Sequence, residues 1–195
     1  MKELLSCENV IIADADYIDK VAFDLIINFE RIIGRRIPPA DMARWLDCVA
    51  LDGGIREGDN KIQVVLIHKK NSKAFNNFVP SNFNDDLHEK AFKDHLGEFS
   101  ISCLPVEDIV NTHDFFLDIV STICNQKEIQ RVMIVPDTDD DTLYNNIRFA
   151  LNRLNQEDKH ITVFAMQPMQ GGKFQQEILG YSLMNAMGIK AEEIK

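Results

Sequence analysis

The sequence lacks several features that define common classes of protein. Its four cysteines, Cys7, Cys48, Cys103 and Cys124, lie far apart and form no CxxC pair, which excludes a zinc knuckle and a thioredoxin-type redox motif. We expect free thiols in a reducing compartment. No apolar run approaches the roughly 20 residues of a membrane span, and Asp14 interrupts the first apolar run before a signal-peptide core can form. The sequence therefore predicts a cytoplasmic protein without membrane spans.

Positive charge is also scarce. The 195 residues include 21 Lys and Arg against 31 Asp and Glu, a formal net charge of −10. Because diffuse binding to nucleic acid or to an anionic membrane depends on positive surface, a nucleic-acid substrate requires a local basic groove or a bridging cation. The one dense basic run is His68, Lys69, Lys70 and Lys73. It follows a predicted strand, where it could hold the phosphate backbone of RNA. A solvated loop is the alternative interpretation.

Short apolar runs alternate with amphipathic segments along the chain. The apolar runs predict five strands, at residues 9–13, 61–68, 99–104, 131–135 and 161–166. Apolar residues at helical spacing predict helices at residues 19–33, 40–51, around 87–96, from 106 or 111 to 124, 141–154 and 174–187. The polar stretch 69–84 predicts a loop. This order predicts one domain over residues 1–195, a three-layer α/β/α fold with a five-stranded, mainly parallel sheet.

Two of the predicted strands end in clusters of aspartates. In parallel sheets, ligands bind beyond the carboxyl ends of the strands, next to the point where strand order reverses. Residues two apart at a strand end point the same way, so the first pair of acids can share one ligand. The two clusters comprise, in chain order, Asp14, Asp16, Asp137, Asp139, Asp140 and Asp141.

The helix after the third predicted strand carries two further acids. Asp114 and Asp118 are four residues apart and therefore lie one turn apart on one helix face. Asp114 could instead cap this helix, and Asp118 could simply be solvated. His113, beside Asp114, is a candidate general acid, although a single histidine is more often structural.

Clustered carboxylates repel one another, and a divalent cation is the usual compensation. Oxygen ligands without a nearby His or Cys favour Mg²⁺ or Mn²⁺ over zinc. Helix capping is the alternative explanation, because Asp is favoured at the start of a helix. Four acids within residues 137–141 exceed what capping needs. The predicted metal ligands are Asp14, Asp16, Asp114, Asp118, Asp137, Asp139 and Asp141.

Four segments resemble the successive blocks of PIN-like nucleases, especially their NYN branch. They are residues 9–17 (NVIIADADY), 111–124 (NTHDFFLDIVSTIC), 131–150 (RVMIVPDTDDDTLYNNIRFA) and 161–166 (ITVFAM). The resemblance implies a PIN-like fold and Mg²⁺ or Mn²⁺ dependent RNA hydrolysis. It assigns the catalytic acids to Asp14, Asp137 and Asp139, with a helix acid at Asp114 or Asp118. Tyr17 stands where the family has an asparagine.

Two alternatives remain open. The pairs Asp14 with Asp16 and Asp137 with Asp141 also resemble two motifs of haloacid-dehalogenase-like phosphatases, in which Asp14 would be the nucleophile and Asp16 the general acid/base. The departures from the nuclease pattern and the acidic balance favour a third interpretation. In that interpretation the chain is a non-catalytic α/β binding module.

Overall fold

The computed structural model describes residues 7–154 and 159–194. Nine strands and five α-helices lie in this part of the chain. The strands are β1 (Asn9–Asp14), β2 (Ala40–Asp41), β3 (Asn60–Lys69), β4 (Phe78–Val79), β5 (Lys90–Lys93), β6 (Gly97–Val106), β7 (Arg131–Val135), β8 (His160–Ala165) and β9 (Gln175–Ile178). The helices are α1 (Ala15–Ile33), α2 (Met42–Asp52), α3 (Thr112–Cys124), α4 (Asp141–Asn152) and α5 (Leu179–Ala186), with a π-helical turn at Phe83–Leu87.

Seven strands form one sheet in the order β5-β6-β3-β1-β7-β8-β9. Only β5 runs antiparallel to its neighbour, and the other pairs are parallel. From β1 the chain proceeds outward through β3 and β6 on one side, then crosses to β7, β8 and β9 on the other. The strand order therefore reverses between β1 and β7, and the carboxyl ends of these two strands mark the place where such sheets bind ligands. The predicted α/β fold with a mainly parallel sheet is confirmed, and the first and fourth predicted strands are neighbours in it as β1 and β7.

Alternate residues of the central strands enter two separate apolar layers. Ile11 packs with residues of α1, α2 and α5, whereas Ile12 packs with residues of α3 and α4. Helices therefore cover both faces of the sheet, which explains why its central strands are apolar throughout. In the first layer, the Nε1–H of the buried Trp45 donates a hydrogen bond to Ser182 Oγ at 3.2 Å, which joins α2 to α5.

The helix predicted around residues 87–96 does not form, and β5 is one of the two strands that the seven-stranded sheet has beyond the predicted five. Phe92 of β5 lies opposite Phe99 of β6, and the two rings stack with their centroids 4.7 Å apart. Glu89 has a φ of 57°, in the left-handed region, which interrupts a right-handed helix. Over so few residues, apolar spacing does not distinguish a strand from a helix.

The predicted helix over residues 174–187 begins later than expected. Its first residues form β9, which pairs in parallel with β8 at the sheet edge, and α5 begins at Leu179. The sequence of β9 is QQEI, and none of its residues is fully buried. β9 pairs with β8 through its main chain. Because an edge strand need not bury its side chains, the sequence of β9 has no apolar pattern that would predict a strand.

Short ordered elements also occupy the predicted loop over residues 69–84. There β4 pairs in parallel with β2, with Ala40 opposite Phe78, and the π-helical turn follows. Because β2 takes Ala40 and Asp41, α2 begins at Met42. Helix α1 begins four residues earlier than predicted, directly after β1.

Candidate functional site

A cleft opens at the carboxyl ends of β1 and β7, at the switch point of the sheet. Its volume is about 170 Å³. We call it the acid cleft, and its lining residues are Asp14, Asp16, Tyr17, Lys20, Lys69, Thr112, His113 and Asp137. Three of the predicted metal ligands therefore meet here, together with three basic side chains that come from α1, β3 and α3.

Asp14 is the most deeply buried carboxylate of the acid cleft. It ends β1 and caps α1, where its Oδ1 accepts a hydrogen bond from the Tyr17 amide at 3.0 Å. Only 3% of the residue is exposed. Burial raises the pKa of Asp14 to about 6, and the charges of Asp16 and Asp137 add to that rise, while the Tyr17 amide and His113 oppose it.

Asp16 lies in the first turn of α1 and faces the same cleft. Its Oδ2 accepts a hydrogen bond from the main-chain amide of Lys69 at 2.7 Å, which ties α1 to the end of β3. Asp14 and Asp16 thus line the cleft together as predicted, although Asp16 stands at a helix start rather than a strand end.

The acids after β7 separate into different environments. Asp137 lines the acid cleft, and its Oδ1 accepts from the Asp139 amide at 3.0 Å. The Asp140 side chain caps α4 by accepting from the Leu143 amide at 2.8 Å, which lowers the pKa of Asp140. Asp141 is exposed in the first turn of α4. Capping therefore accounts for one acid of this run, and Asp137 alone reaches the cleft.

Asp139 contacts side chains of α1. Its Oδ2 pairs with Lys20 Nζ at 3.0 Å, and its Oδ1 accepts from the Tyr17 hydroxyl at 3.5 Å. The Lys20 and Asp139 side chains are 62% and 57% exposed, so the pair adds little to stability. Asp139 is placed to hold Lys20 beside the cleft, and it is not among the residues that line the cleft.

Helix α3 presents a histidine to the cleft instead of the predicted acids. Asn111 caps α3 by accepting from the amides of His113 and Asp114 at 2.9 and 3.1 Å. Asp114 and Asp118 are both exposed and do not line the cleft. The sequence contains a signal for this difference between His113 and the two acids. The spacing of three or four residues that separates buried positions of α3 extends back to His113, whereas Asp114 and Asp118 share the opposite face of the helix.

The His113 ring lies between two carboxylates. Its Nε2 is 3.3 Å from Asp137 Oδ2, and its Nδ1 is 3.2 Å from Asp140 Oδ2. Both ring nitrogens therefore face carboxylate oxygens. The expectation that no histidine lies near the acidic clusters is wrong, because α3 brings this imidazole to the carboxyl ends of the strands.

The predicted basic run divides between two places. Lys69 lines the acid cleft, whereas His68, Lys70 and Lys73 line a separate cavity of about 550 Å³, which we call the basic pocket. Within it, the buried His68 ring stacks on Phe83 with the centroids 4.1 Å apart. The acid cleft and the basic pocket are neighbours at the end of β3. His68 and Lys70 line the basic pocket, whereas Lys69, between them in the sequence, lines the acid cleft.

The donors of the acid cleft that fit Mg²⁺ or Mn²⁺ are its carboxylate oxygens, because both ring nitrogens of His113 already contact Asp137 and Asp140. Asp14 takes one described hydrogen bond, from Tyr17, which leaves its second oxygen without a donor among residues 7–154 and 159–194. Among the described residues, no three ligand atoms of the acid cleft lie within 4.8 Å of one another. Mg²⁺ needs no such set, because it keeps several waters and is often held by one or two carboxylates plus substrate phosphates. Asp14 and Asp137 suffice for this mode.

No α-helix in the described part of the chain is both long enough and apolar enough to cross a membrane.

The fold and the cleft define an α/β protein with a doubly wound sheet and a carboxylate-lined site at its switch point. Residues 4–194 match the model of DUF6621, a family of unknown function, and the chain belongs to that family. No curated protein and no solved structure matches the chain.

Proposed function

We propose that the chain is a divalent-cation-dependent ribonuclease whose active site is the acid cleft. The observation that carries this proposal is the Asp14 carboxylate, buried at the switch point beside Asp16 and Asp137. Burying a carboxylate among like charges is unfavourable unless a cation compensates it. A cleft with this property supports chemistry on an anionic substrate through a bridging cation.

Each side chain of the acid cleft has a distinct role in the proposal. Asp14 and Asp137 hold the cation, and Asp16 contributes further negative charge. Bound Mg²⁺ or Mn²⁺ supplies a Lewis acid that activates water and stabilises charge on the phosphate. His113 lies between Asp137 and Asp140 and is the general acid of the proposal; to protonate the leaving oxygen, one ring nitrogen exchanges its carboxylate contact for that oxygen.

The surrounding cations support a phosphodiester as the substrate. Lys20 and Lys69 line the cleft and can pair with phosphate oxygens. The basic pocket adds His68, Lys70 and Lys73 within a few residues of Lys69, which suits a longer anionic chain. A local basic surface next to the cleft is what a protein of net charge −10 needs to bind RNA.

The proposal is tested by incubating single-stranded and structured RNA, and separately a small phosphomonoester, with Mg²⁺, Mn²⁺ or EDTA. We expect cation-dependent RNA cleavage and no phosphomonoester turnover. Asp14→Asn and Asp137→Asn are each expected to lower cleavage by about 100-fold or more, the cost typical of losing a group that stabilises transition-state charge.

Two matched variants sharpen this test. Asp118→Asn makes the same chemical change on the exposed face of α3 and should leave cleavage unchanged. Asp139→Asn should reduce cleavage far less than Asp14→Asn, because Asp139 contacts Lys20 rather than the cleft. Phosphomonoester turnover that is lost in Asp14→Asn would support the phosphatase alternative instead.

A non-catalytic binding module is the second candidate, and one observation favours it. Lys20 already pairs with Asp139, and His113 contacts Asp137 and Asp140, so the protein's own side chains already partner part of the acid cluster. In that case neither RNA nor the phosphomonoester is turned over under any cation condition.

A further inference from the structure

A second group of metal-ligand side chains lies at the opposite edge of the sheet from the acid cleft. Asp47 lies on α2, and Asp94 with His95 lies in the turn between β5 and β6. One ligand atom from each of these residues lies within 4.8 Å of the other two. The turn precedes Gly97, where β6 pairs with the start of β3, so the group sits at the amino ends of the parallel strands.

One oxygen of the Asp47 carboxylate has no hydrogen-bond donor in the described part of the chain, and the Asp94 side chain is the neighbour of this carboxylate. Asp47 Oδ1 has less than 1 Å² of exposed surface and makes no hydrogen bond, and it is the single such buried side-chain atom in residues 7–154 and 159–194. A buried acceptor without a donor costs free energy. Burial and the neighbouring Asp94 raise the pKa of Asp47 to about 7. A cation at this place would satisfy the orphaned oxygen.

The backbone of the turn is fixed without using the histidine ring. The Asp94 amide donates to Gly97 O at 3.0 Å, and the Gly58 amide donates to His95 O at 3.1 Å. Asp94 Oδ1 also accepts from the Leu96 amide at 2.8 Å. The exposed His95 ring makes no hydrogen bond or ion pair within the described residues, so its nitrogens are available as ligands.

We infer that Asp47, Asp94 and His95 bind a first-row transition dication such as Zn²⁺. An imidazole with two carboxylates suits Zn²⁺ and its neighbours better than it suits Mg²⁺, which prefers oxygen ligands alone. Three protein ligands leave room for a water in the coordination shell. Because the ligands come from α2 and from the β5–β6 turn, the bound ion cross-links these two elements.

This site is tested by isothermal titration of the full chain with Zn²⁺, followed by the same titration of His95→Ala. We expect one tight Zn²⁺ in the wild type and an affinity at least about tenfold weaker in the variant, since the loss of even an outer-shell partner costs that much. His95 is exposed, so its removal should not impair folding. His160→Ala removes an exposed histidine from β8 and should leave Zn²⁺ affinity unchanged.

A second titration separates this site from the acid cleft. In the double variant Asp14→Asn with Asp137→Asn, Zn²⁺ should bind as tightly as in the wild type. No Zn²⁺ binding in the wild type, or equal affinity in His95→Ala, would overturn the inference. Zn²⁺ binding that depends on Asp14 and Asp137 but not on His95 would also overturn it, while leaving the proposed role of the acid cleft intact.

Discussion

Replacing Asp14 with Asn is expected to increase the free energy of unfolding at pH 7.5 by about 3 kcal/mol in the absence of divalent cations. Burial raises the pKa of Asp14 from 3.8 to about 6, and a difference of this size corresponds to roughly 3 kcal/mol that opposes the ionised form in the folded state. Asparagine removes the charge and keeps the side-chain oxygen that accepts from Tyr17. Urea denaturation of both proteins in EDTA measures the change.

The raised pKa of Asp14 also determines how the free energy of unfolding depends on pH. The pKa of Asp14 is raised on folding, so the folded state binds the proton more tightly than the unfolded state. This contribution favours folding below about pH 3.8 and is lost as the pH rises through about 6. The stability difference between wild type and Asp14→Asn should therefore widen over this interval and then level off.

The exposed acid of α3 provides the control. Asp118→Asn should change neither the stability at pH 7.5 nor its pH dependence. An Asp14→Asn protein that is less stable than the wild type in EDTA would mean that the carboxylate is compensated by its protein neighbours. The case for a cation in the acid cleft would then lose its support.

Adding Mn²⁺ or Mg²⁺ should offset the loss of stability that the ionised Asp14 causes. A ligand that binds only the folded state adds about 2.7 kcal/mol to stability at 100 times its Kd. We expect this gain in the wild type and its loss in the double variant Asp14→Asn with Asp137→Asn. Denaturation midpoints at increasing cation concentration measure it.

This experiment is best done in the His95→Ala background. The group formed by Asp47, Asp94 and His95 can also take Mn²⁺, and removing the imidazole weakens its contribution to the measured gain. A gain that is equal in the presence and absence of Asp14 and Asp137 would place the cation outside the acid cleft.

The sequence was sufficient to predict five strands of the central sheet and the acids that follow two of them. Apolar runs identified β1, β3, β7 and β8, and alternating apolar residues identified β6. The switch-point rule indicated the carboxyl ends of the strands as the ligand site, and Asp14 and Asp137 line one cleft there. Both inferences depend on local patterns and on a general rule of topology.

The rest depends on contacts between distant segments. β5 packs on β6 through the stacking of Phe92 on Phe99, and β9 pairs with β8 through its main chain. Neither strand has a distinctive apolar period in its sequence. Among the acids after β7, main-chain geometry decides which one caps α4 and which one reaches the cleft. The group at Asp47 combines residues more than forty positions apart in the sequence. Its other two members lie in a turn where the apolar spacing predicted a helix.

The location of bound Mn²⁺ shows whether the acid cleft is a cation site. Mn²⁺ is paramagnetic and broadens the amide NMR signals of residues near it, so a titration of the ¹⁵N-labelled His95→Ala protein maps the bound ion. We expect the first signals to broaden to be those around Asp14, Asp16, His113 and Asp137, and Asp14→Asn with Asp137→Asn to remove this broadening. Signals around these residues that stay sharp at millimolar Mn²⁺, or broaden equally in the double variant, would contradict this expectation.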